Sequence, residues 1–453
     1  MQYYRRNDWR FPLEMQEFRD LSPPGRFSRQ PCRCYLRKMS ACDIPPWSLL
    51  EVLSFVLRSA LILVFATGIV LGSRLDSTTF VVLGDGLAAG ASGTGLSKQL
   101  QERSFGAQLA GQLGTIFPQA NFQPPGPGDV PGEQRLPVMI PSYPQSTVRT
   151  PFPPSLFVFN LSVPGLKLAD ALSRRPTLPL VHNNDSTQTL LNMILGFPAL
   201  ILDQDVPLWT QAEYAVAMNP TLVQIELGYY DAIEAAVAGD PGRMAEVAEF
   251  RANYSEIVRR LRANSPMVVL TTVPDPTRTA YFSSVPEAAA RLRQPTAILE
   301  ARYGLATDDL LTESAIRDIS TQILHGRTSP LKSGQTLRAS NAARIRDRLR
   351  AWNAEIRSLG TGNAVLVYDL AAFFERVRAQ GIEVAGRTVT GAAFGGFYGL
   401  DWLHPGATGH ALIANAIIEL LNRSFQSGIP LIRLDGIAEE DPVFQYRPLE
   451  GGS

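Results

Sequence analysis

The stretch Phe80-Val-Val-Leu-Gly-Asp-Gly-Leu-Ala-Ala-Gly90, FVVLGDGLAAG, indicates the fold of this chain. Four consecutive apolar residues, Phe80–Leu83, run directly into a Gly-Asp-Gly turn. Continuous rather than alternating hydrophobicity is typical of a strand that is covered on both faces, as in a parallel sheet. In such sheets, sites form where the chain leaves the carboxyl ends of the strands. The turn that ends at Gly86 is therefore the first candidate for a functional site.

Similar apolar runs recur along the chain and alternate with amphipathic stretches. The further strand candidates are Leu156–Phe159, Leu222–Glu226, Met267–Thr271 and Ala364–Tyr368. The clearest helix candidates are Arg243–Asn264, Ser340–Leu359 and Thr408–Asn422. Alternation of strands and helices predicts a doubly wound α/β fold, here with a five-stranded, mostly parallel sheet.

The bulk composition is that of a globular protein without a strong electrostatic field. Hydrophobic residues make up 45% of the 453 residues and charged residues 19%, which is ordinary globular usage. The 42 basic and 42 acidic residues cancel, so nothing draws the chain to nucleic acid, and no nucleic-acid partner is predicted.

The segment before the first strand predicts a membrane anchor. Residues 52–72, VLSFVLRSALILVFATGIVLG, carry a single charge, Arg58, and about 20 such residues span a bilayer core. Residues 1–47 hold nine Arg or Lys against five acids, which places this basic tail in the cytoplasm and the main domain outside it, in the periplasm or at the cell surface. We predict a single-pass transmembrane helix over residues 48–72. Two alternatives stay open: a cleaved signal peptide, with translation starting at Met39, or a buried core helix.

The rest of the chain divides into one large domain and a tail. The domain is predicted over residues 76–425, with insertions at 123–154, which is rich in Pro and Gly, and at 283–338, and the tail covers 426–453. The three cysteines all precede the domain and form no disulfide framework. His182, His325 and His410 show no metal-ligand spacing, so no metal or cofactor is predicted.

Polar or glycine-bearing turns follow four of the predicted strands, and a similar segment precedes the last predicted helix. Their sequences are Gly84-Asp85-Gly86, Asn160-Leu-Ser-Val-Pro-Gly165, Gly228-Tyr229-Tyr230-Asp231, Val273-Pro274-Asp275 and Asp401-Trp-Leu-His404-Pro405. Because the carboxyl ends of parallel strands share one edge of the sheet, these turns are expected to converge.

This ordered set resembles the SGNH/GDSL hydrolase family of esterases and lipases, over about residues 78–423. The family's first block, G-D-S-L, matches Gly84 to Leu87 except that Gly86 stands at the position of the serine. Its second block, an asparagine followed by a glycine, is matched by Asn160 and Gly165. The resemblance implies a three-layer, flavodoxin-like fold.

Two further blocks extend the resemblance. The third, G-x-N-D, appears as GYYD, in which Gly228 and Asp231 remain and Tyr230 replaces the asparagine. The last block, D-x-x-H-P, is intact, with Asp401 and His404.

The family's chemistry explains why the two replacements matter. The resemblance implies that His404 would take a proton from the nucleophile and that Asp401 would orient the imidazole. It also implies that the backbone N–H groups of Gly86 and Gly165 would stabilise the oxyanion, together with the third-block side chain at Tyr230. Asp85, Asn160, Gly228 and Asp231 would support the turns. Glycine has no side-chain atom that can attack, and a tyrosine offers one hydroxyl on a longer arm than an asparagine amide.

We therefore predict an esterase/lipase-like protein of impaired activity that retains an acyl or glycan ligand. One alternative is an active ester hydrolase, in which the Asp401/His404 pair activates water or a displaced hydroxyl attacks. The candidates for a displaced hydroxyl are Ser92, Thr94, Ser97 and Ser162. A second alternative is an interaction protein of the cell envelope.

Overall fold

The computed structural model describes residues 75–93, 95–124, 126–127, 157–201, 206–264 and 266–446. The basic tail, the predicted membrane segment, most of the 123–154 insertion and Thr94 lie outside these ranges. Among the helices within them, none has the length and hydrophobicity needed to cross a membrane.

The described residues form three separate sheets. The strands are β1 (Phe80–Gly84), β2 (Leu222–Glu226), β3 (Met267–Thr271), β4 (Phe282–Ser284), β5 (Leu310–Thr312), β6 (Thr336–Leu337), β7 (Val365–Tyr368), β8 (Ile382–Val384) and β9 (Arg387–Val389). The central sheet has the order β1-β2-β3-β7, and all its neighbours are parallel. Every residue of β1 and β2 is buried, as expected for strands that helices cover on both faces. The α/β prediction is confirmed, and four predicted strands lie within one residue of their expected bounds.

Of the predicted fifth strand, Leu156–Phe159, Leu156 lies outside the described residues, and the remaining three form no strand of this sheet. The chain does run parallel to β1 there, with a bridge between Val82 and Asn160 and hydrogen bonds from Val82 N–H to Phe159 O (2.9 Å) and from Leu161 N–H to Val82 O (2.8 Å). The Val163 N–H also donates to Gly84 O (3.1 Å), while the buried Gln211 amide donates to the carbonyls of Leu161 (2.8 Å) and Gly84 (2.9 Å). The segment pairs with β1 through an isolated bridge, and the described sheet has four strands rather than five.

Helices follow the strands and pack in two groups. Their bounds are α1 (Gly86–Ala89), α2 (Lys98–Gln101), α3 (Phe105–Leu113), α4 (Asp170–Ser173), α5 (Ser186–Leu195), α6 (Gln211–Ala217), α7 (Tyr229–Ala238), α8 (Val247–Arg262), α9 (Val285–Arg291), α10 (Thr296–Tyr303), α11 (Glu313–Leu324), α12 (Ala339–Ser358), α13 (Leu370–Gln380), α14 (Ala407–Phe425), α15 (Leu434–Glu440) and α16 (Pro442–Gln445). Helix α3 packs on α14, whereas α8 packs on both α6 and α12. The three helices predicted from the sequence correspond to α8, α12 and α14.

The residues between β4 and β6 form a small unit with a core of its own. Strands β4, β5 and β6 make an antiparallel sheet, against which α9 and α11 pack. A separate hydrophobic cluster, which includes Val285, Leu311 and Ile319, fills this unit. The sequence prediction of an insertion concerns these same residues, 283–338.

Candidate active site

The first turn is built around the carboxylate of Asp85. Asp85 is the N-cap of α1, and its Oδ1 accepts the Leu87 N–H at 3.1 Å, as expected where a helix begins with unpaired N–H groups. Its Oδ2 accepts the N–H of Tyr230 at 2.7 Å. Because Tyr230 lies in the first turn of α7, the helix after β2, this one buried carboxyl fixes the turns after β1 and β2 to each other.

A second buried carboxyl, Glu226, lies beside Asp85. Glu226 ends β2, and its Oε2 accepts the N–H of Ala88 at 3.2 Å. Burial and the neighbouring charge of Asp85 hold the pKa of Glu226 well above its ordinary value, and burial also raises the pKa of Asp85. We therefore place the proton of the pair on Glu226. The sequence reasoning missed this residue, because it ends an apolar strand and gives no separate signal.

Asp401 and His404 form a buried, ordered pair. The imidazole Nδ1 lies 2.5 Å from Asp401 Oδ2. Asp401 Oδ1 accepts the N–H groups of Leu403 (3.0 Å) and His404 (2.9 Å), so the carboxylate shapes the loop as well as orienting the ring. Only 1% of His404 is exposed. The geometry matches that of the orienting acid and base in a hydrolytic triad.

Tyr229 supports this loop from the side of β2. Its hydroxyl donates to the Leu403 carbonyl at 2.7 Å, and its ring packs edge-on against the His404 imidazole at 5.8 Å between centroids. Burial holds the pKa of Tyr229 well above its ordinary value, so the hydroxyl stays a donor. Sequence reasoning assigned no role to Tyr229, although it stands beside Tyr230 in the GYYD turn.

Gly86 faces the second nitrogen of the imidazole. An ideal Cβ placed on Gly86 would lie 3.2 Å from His404 Nε2 and 3.8 Å from the Ala91 Cβ. Gly86 begins α1 and does not have positive φ, so its backbone does not require glycine. The position at which the family carries a serine therefore keeps both the backbone and the neighbour that a serine would use.

The second and third turns are tied to this centre by side-chain hydrogen bonds. Asn160 Nδ2 donates to Ala88 O at 3.2 Å, which fixes the second turn to α1. Asp231 Oδ2 accepts the N–H of Leu168 at 3.1 Å, three residues beyond Gly165. Burial raises the pKa of Asp231 to about 7. Both residues therefore support the loop of Gly165.

Two glycines of the site have backbone angles that favour glycine. Gly165 has φ of 84° and Gly228 has φ of 103°, both in the left-handed region that side chains disfavour. A Cβ on Gly228 would also come within 3.1 Å of the Phe250 ring. These positions therefore have a conformational reason for glycine that Gly86 lacks.

Tyr230 is joined to the site through its backbone. Burial, followed by the charges of Glu234 and Asp231, raises the pKa of Tyr230 to about 12. The phenol therefore remains neutral and is a single hydroxyl donor, whereas an asparagine amide offers two N–H donors.

One predicted turn is not joined to the histidine by the contacts described. Val273 donates to Asn353 Oδ1 at 2.7 Å and Asp275 caps a short 3-10 helix, Pro276–Arg278. Within the described residues, no group of three or more His, Cys, Asp or Glu side chains could hold a metal ion.

A family model described as GDSL-like Lipase/Acylhydrolase matches residues 80–417, a span that contains all the turns above. The comparison with curated proteins gives no match.

Proposed function

Because the chain belongs to the GDSL-like lipase/acylhydrolase family, we propose that it is a member without serine-based turnover, which retains the family's cleft for binding an acyl or glycan ligand. The observation that carries the proposal is at Gly86. Beside the second nitrogen of a well-ordered Asp401–His404 pair stands a residue with no side-chain atom to attack. The His404 imidazole is oriented to act as a base, but position 86 supplies no hydroxyl for it to deprotonate.

The size of the expected defect follows from the chemistry. Removing the nucleophile of a serine hydrolase costs on the order of 10⁶ in turnover, and removing one oxyanion donor costs about 10²–10³. Tyr230 stands where the family's amide donor would be, so both losses apply to this chain. An ordinary serine-ester cycle is therefore not expected.

The proposal is tested with the full chain in detergent. Hydrolysis of p-nitrophenyl acetate and butyrate is measured for the wild type, for His404→Ala and for His325→Ala as the control, since His325 is exposed at the end of α11. We expect all three proteins to show the same background rate. Wild-type turnover that collapses in His404→Ala and survives in His325→Ala would refute the proposal.

A second candidate is a hydrolase that uses the same pair on water or on another hydroxyl. The observation that favours it is the 2.5 Å contact of His404 with Asp401, which keeps the imidazole in a catalytic orientation. Of the candidate hydroxyls, Ser162 Oγ lies 3.0 Å from an ideal Cβ on Gly84. Ser97 precedes α2 at its N-cap position without a capping bond from its side chain, and Thr94 lies outside the described residues. Labelling of the wild type by a fluorophosphonate would support a displaced hydroxyl.

We also propose that the domain is anchored in a membrane by residues 48–72 and works outside the cytoplasm. Leu75, three residues after the apolar segment, lines a cleft of about 830 Å³ with Ile116 and Phe159. This cleft lies at the amino end of β1, opposite the candidate site. An alkaline phosphatase fusion after residue 446 is expected to be active, and an inactive fusion would contradict the orientation.

A further inference from the structure

Two large apolar side chains are exposed at the amino edge of the central sheet. Ile116 is 82% exposed and Phe157 is 43% exposed. Each stands three positions before the parallel bridge that joins Gln119 to Asn160, and Asn160 also bridges Val82 of β1 in the parallel direction. Three positions before Val82 the chain has not yet entered β1. Both apolar side chains therefore lie at the edge where β1 begins.

The segment that enters β1 lies at the same edge. Leu75 is the first residue that the structure describes, and it lines a cleft of about 830 Å³ together with Ile116. The hydroxyl of Thr115 donates to the Thr78 carbonyl at 3.1 Å, which holds the segment of Ile116 against the segment that leads into β1. We call Leu75, Ile116 and Phe157 the amino-edge surface.

The amino-edge surface carries little charge. Of the residues that line the cleft, Asp76 alone is charged, and the others are apolar residues, a glycine and residues with a hydroxyl group. The backbone N–H of Thr78 donates to Asp76 at 3.0 Å and lowers the pKa of that carboxyl, which therefore stays anionic. Exposed apolar side chains among hydroxyls suit the polar layer of a bilayer. Because the one charge is negative and no basic residue lines the cleft, zwitterionic lipid suits it better than anionic lipid.

The length of the chain brings this surface close to the apolar segment of residues 52–72. Leu75 follows Gly72, the last residue of that segment, by three positions. Three residues span at most about 11 Å, whereas the polar layer on each side of a bilayer is about 5–8 Å thick. If residues 52–72 cross the membrane, Leu75 lies within a few ångströms of the headgroups.

The candidate site lies at the opposite edge of the sheet. All neighbouring strands of the central sheet are parallel, so their amino ends share one edge and their carboxyl ends the other. The four steps from Phe80 to Gly84 cover about 13 Å at about 3.3 Å each. The turn of Gly86 begins only after that distance. A membrane at the amino edge would therefore leave the candidate site facing away from it.

We propose that the amino-edge surface rests on the headgroup layer of the bilayer that holds residues 48–72, so that the candidate site faces the aqueous compartment. The site then takes its ligand from that compartment and not from the lipid leaflet beneath the domain. Exposed apolar side chains that are clustered at one edge of a folded domain commonly mark a contact surface of this kind. The inference rests on the proposed membrane anchor.

The test measures how close single positions lie to the headgroups. The full chain, with its three native cysteines replaced by serine, is reconstituted in phosphatidylcholine vesicles that contain a lipid with a spin label on its headgroup. A nitrobenzoxadiazole fluorophore is attached to Ile116→Cys, Phe157→Cys or Leu324→Cys. Leu324 is the matched control, since it is 81% exposed and belongs to the unit that follows the carboxyl end of β3.

We expect the labels at positions 116 and 157 to lose about half of their emission. The reason is that such a quencher acts over roughly the 11 Å that separate Leu75 from the apolar segment. The label at position 324 should keep its emission. Labels at 116 and 157 that are quenched no more than the label at 324 would overturn the contact surface, and strong quenching at all three positions would overturn the orientation of the site.

Failure of the proposed function is seen in different measurements. Release of the chain from the vesicles by a carbonate wash would refute the membrane anchor and the contact surface together, whereas a retained chain with unquenched labels refutes the contact surface alone. Ester hydrolysis that depends on His404 would contradict the proposed lack of turnover and would leave the quenching unchanged.

Discussion

Replacing Gly86 by serine should restore a nucleophile to this site. The new Cβ would lie 3.2 Å from His404 Nε2, a contact tight enough that the ring must move by a few tenths of an ångström. The next contact, with the Ala91 Cβ at 3.8 Å, is ordinary packing. A serine oxygen is one bond further from this carbon, within the range in which a hydroxyl can hydrogen-bond to the imidazole.

The magnitude follows from two opposing factors. Supplying the missing serine recovers up to about 10⁶ in turnover, and the absent amide donor at position 230 withholds about 10²–10³ of that. We therefore expect Gly86→Ser to hydrolyse p-nitrophenyl butyrate about 10³–10⁴ times faster than the wild type. The double change with Tyr230→Asn should recover part of the remaining factor, and adding His404→Ala to Gly86→Ser should return the rate to that of the wild type.

The assay needs a folding control and a chemical readout. Thermal unfolding should show that Gly86→Ser melts close to the wild type, and a fluorophosphonate should label the variant and not the wild type. A folded Gly86→Ser protein that is neither labelled nor faster than the wild type would refute the inference that only the attacking oxygen and the third-block amide are missing.

Three further predictions concern stability, each measured by urea unfolding. Tyr229→Phe removes the buried hydrogen bond to Leu403 O and should lower the free energy of unfolding by about 1–2 kcal/mol. The control Tyr254→Phe removes a buried hydroxyl that has no partner among the described residues and should be near neutral. Equal losses in the two variants would contradict the role assigned to the Tyr229 hydroxyl. The pKa of Asp231 is raised to about 7, so its contribution to stability is complete below pH 3.8 and is lost as the pH rises through 7. The stability of Asp231→Asn relative to the wild type should therefore increase as the pH rises from 5 to 8. A difference that stays constant over this range would speak against the raised pKa. Burial lowers the pKa of His410 to about 3, so the neutral ring stabilises the fold above pH 6.5 and this contribution is lost as the pH falls. Because neither ring nitrogen has a hydrogen-bond partner among the described residues, His410→Leu should be stabilising by about 1–3 kcal/mol at pH 7 and by more at pH 5. A variant that is destabilised at both pH values would refute this.

Much of the fold could be predicted because its signals are local. Continuous apolar runs predicted β2 and β3 with their observed bounds, and helical periodicity predicted α8, α12 and α14 to within a few residues. The fifth strand was wrong because the segment pairs with β1 only through an isolated bridge, where the Leu161 carbonyl accepts from Gln211, a residue about 50 positions away in the sequence. Hydrophobic pattern carries no information about such a distant side chain.

The candidate site divides in the same way. Spacing within the turns indicated that Asp401 and His404 belong to the site and that Gly86 occupies the position of the serine. It did not indicate that Glu226 and Tyr229 would support the turn and the imidazole, since a buried glutamate and a buried tyrosine near the end of a strand look like any others until their partners are known.

The sequence by itself determined the family, the order of the turns and the absence of a side-chain oxygen at position 86, because each of these is a property of residue types at fixed spacings. Only the tertiary structure decided that Gly86 lies against the Nε2 side of the imidazole, and that Glu226 and Tyr229 support the first turn and the histidine loop. The physical reason is that both depend on distances between segments more than a hundred residues apart, which the packing of the helices on the sheet sets and no local pattern encodes.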